Sequence, residues 1–433
     1  MNTHRTKKRI PLSSLFIGGF LFFVFLFAAQ PASALSEPTM LKPIDGYTIP
    51  PDTQFRVSGF VAKGATVYIF LDKRLVGSVK AKKTSSQTAT FSYVYKKKIS
   101  SGKHTVHLQA AIGSDKSMYT KPRSVTIPST WPRRIDGVKV AATKANLLPV
   151  AVMIENLSTV RPQSGLASAS VVYEALAEGG IPRFLALFAR DDMKRVGPVR
   201  SARPYFVDWA KEYQSPFLHA GGSPDALRQI SKQRVRDVDA LVRQTAKYFF
   251  RVGRRPSTHN LFTSGNIVKR LKNDLGLSAI KTRFRSWLFK DDPKLAKRPK
   301  TTKQLTIDFR SGASYIVRYQ YDRKTNSWLR FNGGRPHLDA NYPKATQIKA
   351  KNVIVQLTKK ERVLDSKGRL DLTITGSGSG WLLQDGTLTK ITWKKPKAES
   401  RTIYYRQNGS EVVFNRGTTW IEAVPSNRPV LWQ

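Results

Sequence analysis

Phe217-Leu-His-Ala-Gly-Gly-Ser-Pro224 reads as a strand that runs into a glycine turn and then a helix. Ser223 suits an N-cap and Pro224 the first helical position, where a missing N–H costs nothing. Backbone N–H groups at such a start favour an anion by about 0.3–2 kcal/mol. His219 stands at the carboxyl end of the strand, where open α/β sheets place ligands. Upstream, Gly197-Pro-Val-Arg-Ser-Ala-Arg203 leads into a helix ending near Tyr213, and Arg200 and Arg203 offer forked donors for carboxylate or phosphate. Tyr205, Trp209 and Tyr213 recur at i, i+4 and i+8, a stripe expected in the core. The competing reading of Gly221, Gly222 and Ser223 is a tight connection needing small residues, with His219 bonded internally.

Working outward, Pro149 to Ile154 reads as a buried strand, Ala167 to Ala177 as a helix stopped by Gly179-Gly180, and Phe184 to Ala189 as a strand. A helix continuing to Glu178 would put Glu174 and Glu178 on one face. Such a pair has three uses: acid and base, ligands of a hard cation, or salt bridges to Arg183, Arg200 or Arg203. Salt bridging is the commonest. His259-Asn260 could add a second contribution from a loop. The chain has no cysteine, six histidines and no His-x-x-x-His or His-Glu pair, so neither a metal nor a cofactor is expected. Gly-x-Ser-x-Gly is absent, which disfavours a serine nucleophile.

Arg5, Lys7, Lys8 and Arg9 precede an apolar run from Leu12 to Ala29 and an Ala32-Ser33-Ala34 step. Residues 1–34 are therefore expected to be a signal peptide or a retained membrane anchor, with the remainder extracytoplasmic. Short alternating runs with turn signals make 37–128 an immunoglobulin-like β-sandwich. A linker at 129–139, a mixed α/β domain at 140–285, a basic linker at 286–303 and a β-rich domain at 304–425 complete a multidomain α+β chain. Gly376-Ser-Gly-Ser-Gly380 lies between strands and lacks a P-loop lysine, so a bend or bulge is expected. His337 and Asp339 form a hairpin-side pair with no assigned use.

Lys and Arg number 74 against 29 Asp and Glu, a formal +45. Export sets nucleic acid aside and favours anionic wall or surface polymers, or an anionic membrane surface.

Ile154-Glu-Asn156, Arg161-Pro-Gln-Ser-Gly-Leu166, Glu178-Gly-Gly180, Gly197 to Arg203, His219 to Ser223 and His259 to Ser264 resemble the first domain of the YerB-like lipoprotein family, domain of unknown function 3048. Asn352-Val-Ile-Val355, Asp385-Gly386, Trp393 and Gly417-Thr-Thr-Trp420 are similar to its second. The resemblance implies an extracytoplasmic protein and supplies no reaction; unlike the family, this chain has no lipidated cysteine. The leading expectation is an envelope protein holding an anionic ligand at Arg183, Arg200, Arg203, His219, Gly221, Gly222, Ser223, His259 and Asn260. One alternative is an envelope hydrolase using Glu174, Glu178 and His219. The other is a structural surface or adhesion protein.

Overall fold

The computed structural model describes residues 35–50, 53–84, 87–253, 256–301, 304–340 and 345–433. The segment expected to direct export, 1–34, lies outside the described residues. Strand outweighs helix, and the chain forms two units, the first drawn mainly from residues before 126. In that unit Phe55–Ala62 and Thr66–Leu71 bury alternate residues, among them Val57, Val61, Val67 and Ile69, as half-buried strands do. They belong to a four-stranded and a six-stranded sheet.

The second unit carries the candidate site. Its strands are β1 (Val150–Ile154), β2 (Val171–Leu176) and β3 (Pro182–Phe188), then α1 (Pro204–Glu212), β4 (Pro216–His219), α2 (Pro224–Lys232) and β5 (Arg236–Asp239). There follow β6 (Gln304–Ile307), β7 (Val317–Asp322), β8 (Ser327–Asn332), β9 (Arg335–Pro336), β10 (Asn352–Thr358), β11 (Gly376–Gln384), β12 (Thr387–Lys395), β13 (Ile403–Arg406), β14 (Thr419–Pro425) and β15 (Val430–Trp432). One ten-stranded mixed sheet runs β5-β4-β1-β3-β2-β14-β10-β11-β12-β13. The segments 140–285 and 304–425, expected as separate domains, thus meet inside one sheet, where β2 pairs with β14 in parallel. The stretches expected as linkers also carry strands: Thr130–Pro132 pairs with Lys139–Ala141, and Leu288–Lys290 with Val413–Asn415.

The helix expected over Ala167 to Ala177 is instead β2, preceded by a short 3-10 turn at Leu166–Ser168. All six residues of β2 are buried, so both faces are covered and the run, apolar apart from Glu174, does not alternate. Four alanines between 167 and 177 suit a helix; Val171, Val172 and Tyr173 favour the strand, and tertiary packing decides. Glu174 therefore sits in the sheet and Glu178 in the turn Glu178–Gly180, not on one helical face.

One face of the sheet packs on α1, where Tyr205, Trp209 and Tyr213 are buried and Tyr173 stacks on Trp209 at 4.6 Å. Glu212 of α1 is fully buried and ties in the C-terminal segment: Lys395 Nζ lies at 2.7 Å and Arg401 at 2.9 Å. Arg401 is sandwiched in turn over Trp287 at 3.7 Å and Tyr213 at 4.1 Å. The other face packs on the six-stranded sheet built around β9-β8-β7-β6-β15. Gly376 to Gly380 belongs to the regular strand β11, without the expected bulge. Gly378 admits the Trp393 indole, since a Cβ there would lie 2.6 Å from its Nε1.

Candidate functional site

The loop after β1 docks on the chain beyond β9. Ala340 N donates to Gln163 O at 2.7 Å, while Gly165 N and Ala167 N donate to the two carboxylate oxygens of Asp339 at 3.0 and 2.7 Å. Gly165 is required there, because its φ is +96° and a Cβ would meet Arg195 O at 2.9 Å. Along this seam opens a pocket of about 520 Å³ lined by Ser158, Arg161, Ser314, Asn332, Arg335 and His337, among others. Arg161 is fixed: its guanidinium donates to Ser314 O at 2.6 Å and to Asn156 Oδ1 and O at 3.0 and 3.1 Å, and it lies over the Tyr315 ring. Burial, then the nearby Arg330 charge, lowers Arg161 to about 10. Arg335 is exposed on β9.

Beneath the pocket lies a buried polar network. Asn156 donates to Glu174 Oε1 at 3.1 Å and accepts from Arg161, Gln163 and Asn332 on its Oδ1. Arg330, on β8 and fully buried, donates to Glu174 and to His337 Nδ1, and its Nε reaches Tyr319 Oη at 3.1 Å. The His337 ring proton therefore sits on Nε2, which donates to Gln163 Oε1 at 2.9 Å. Burial pushes His337 well below its ordinary range, reinforced by Arg330 and Arg161, so the imidazole is neutral. Tyr319 donates to Glu422 Oε1 at 2.5 Å, whereas Glu422 Oε2 finds no donor. Burial and the charge of Glu174 raise Glu422 well above the usual carboxylate range. A protonated Glu422 can satisfy Oε2 by donating to Glu174.

The expected site residues fall into three groups. Arg183 and Arg203 converge on Glu178, with Arg183 at 2.8 Å. Burial raises the Glu178 carboxyl, but the Arg203 hydrogen bond and the two arginine charges outweigh it and hold it at about 2. Arg200 and His259 converge on Glu155, at 3.1 and 2.7 Å, and Arg251 donates to Asn260 Oδ1 at 2.7 Å. His219 is fully buried, its Nε2 at 2.7 Å from Asp237 and its Nδ1 at 2.9 Å from Gly221 O. Ser223 caps α2 by accepting from Ala226 N, and Gly221 N is taken by Asp239. The fold itself thus uses these donors of the helix start. Glu174 and His219 are both fully buried, Glu178 is spent on two arginines, and none of the three lines the 520 Å³ pocket.

Sequence reasoning missed Arg330, Glu422, Asn332 and Arg335, and left His337 unassigned. In Ser327–Asn332 the apolar Leu329 and Phe331 suggest the inward face, yet Trp328, Arg330 and Asn332 point inward. Only the acidic Glu422 inside an otherwise apolar β14 signals a buried polar site. Among the described residues, no group of three or more His, Asp or Glu side chains could hold a metal ion.

Fold and site together define a β-rich protein in which two sequence segments share one sheet and form a pocket along their seam. The chain belongs to the DUF3048 family: residues 136–278 match "Protein of unknown function (DUF3048) N-terminal domain" and residues 305–421 its C-terminal domain. It is 31% identical over 292 residues to YerB of Bacillus subtilis (strain 168), named as a lipoprotein, covering 67% of this chain and 85% of that relative. The crystal structure of YerB aligns with a TM-score of 0.60 at 29% identity, covering 69% of this chain and 98% of that one.

Proposed function

We propose that this chain is an extracytoplasmic, envelope-associated binding protein that takes an anionic group of an envelope polymer in the seam pocket. The observation that supports this best is the pairing there of a rigidly held Arg161 with an exposed Arg335. Preorganised guanidinium groups bind oxyanions with little ordering cost. The formal +45 adds a general attraction that the pocket makes specific. The relative's name as a lipoprotein supports an envelope location. Among the described residues no helix is long and apolar enough to cross a membrane; the basic residues and apolar run of 1–34 are read as the export signal or anchor. The unit before residue 126 is read as an immunoglobulin-like spacer.

The test is retention of the full chain on purified wall polymers over a salt gradient. Arg335→Glu should elute at distinctly lower salt than Lys390→Glu, which makes the same charge change at an exposed residue of β12. Equal elution of the two variants would reduce binding to bulk charge and defeat the proposal.

A further inference from the structure

α1 and α2 end alike. Gln214, two residues beyond α1, has φ +55°, and Arg234, two beyond α2, has φ +50°. Each left-handed residue turns its helix into a strand, β4 or β5. Those strands run parallel with Pro216 opposite Arg236, so both turns lie side by side at the amino-terminal ends of β4 and β5. Between the turns opens a second pocket of about 360 Å³, lined by Lys211, Ser215, Arg234, Arg236 and Glu399, among others.

Three cations there face one carboxylate, a surplus of two positive charges. Lys211 Nζ donates to Gln233 O at 2.6 Å, and Arg236 donates to Gln214 O. These bonds fix two of the charges and leave most guanidinium N–H groups of Arg236 unspent. Arg234 is exposed at the pocket. Ser215 is 2% exposed, yet its hydroxyl has no hydrogen-bond partner. A buried hydroxyl in that state is costly, and an oxygen acceptor in the pocket would satisfy it.

We propose that this pocket is a second anion site, distinct from the seam, and that it takes a phosphate group. A doubly charged oxyanion matches the surplus charge, and its several oxygens can meet donors from both turns together.

The test uses the full chain carrying Arg335→Ala, so that the seam pocket contributes little. Inorganic phosphate is titrated by calorimetry, and phosphatidylglycerol vesicles are tested in parallel by flotation. Saturable phosphate binding is expected, weakened about tenfold or more by Arg234→Ala, as suits a charge-assisted contact. Ser215→Ala should weaken it less, with cooperative melting intact. Loss of phosphate binding alone in Arg234→Ala identifies a soluble phosphate ester; loss of vesicle binding as well identifies a lipid headgroup. Absence of saturable phosphate binding overturns the proposal, and so does equal weakening by Lys390→Ala, which removes one charge elsewhere.

Discussion

Glu174 and Glu422 stand at the same register of neighbouring parallel strands, and both are fully buried. Arg330 lies in hydrogen-bonding contact with Glu174 and 3.8 Å from Glu422, so one guanidinium serves two carboxylates. The triad balances only with one proton added. Glu422, which burial and the Glu174 charge raise most, keeps it. Asn156 and His337 then connect this neutral triad to the pocket wall.

Glu422→Gln should be tolerated and should change the pH dependence of stability. A folded-state value raised above 4.5 contributes stability that is present below that pH and is lost as pH rises towards the folded value. Glutamine, always neutral, removes the loss. Urea denaturation should show the variant as stable as the parent or more so near pH 8, with the difference closing near pH 4. A large loss of stability near pH 8 would mean that Glu422 is ionised in the fold.

Breaking the pair is a different matter. Glu174→Gln removes the carboxylate hydrogen-bonded to Arg330 and leaves only Glu422, 3.8 Å away, to release its proton and balance the charge, so it should cost up to about 3–5 kcal/mol in denaturant unfolding. Glu174→Gln combined with Arg330→Met should cost less than the two single changes added together. Additive losses would show that the two side chains do not interact.

Glu178 governs the acid limb. Its folded value of about 2 lies below the ordinary 4.5, so its contribution is present above about pH 4.5 and is lost as pH falls towards 2. Acid unfolding followed by tryptophan fluorescence should be less steep in that window for Glu178→Gln. An unchanged limb would place acid sensitivity elsewhere.

Gly378→Val should destabilise by about 1–3 kcal/mol through overpacking. The new side chain displaces Trp393, whose Nε1 donates to Leu357 O at 3.0 Å. Thermal melting and a red-shifted tryptophan emission would report it together.

What could be read from the sequence was local. Ser223 and Pro224 announce the start of α2 through side-chain and backbone chemistry within one turn. The Tyr205, Trp209 and Tyr213 stripe declares its face by spacing alone. β2 was hidden because a strand covered on both sides loses its alternation. Arg330 was hidden because its value depends on Glu174, 156 residues away. The convergence of Arg183 and Arg203 on Glu178 was among the open readings. That Glu155 would gather Arg200 and His259 needed the β1 end and the 257–259 turn side by side.

The position of β14 also bears on how the molecule is made. Thr419–Pro425 lies between β2 and β10, inserted mid-sheet from a stretch of chain that follows both of them in sequence. Until it arrives, β2 and β10 each present a bare, apolar hydrogen-bonding edge. A nonsense mutation or a proteolytic cut just before residue 419 would therefore not trim a margin. It would leave two half-sheets with nothing between them, and synthesis must run past residue 425 before the core can close.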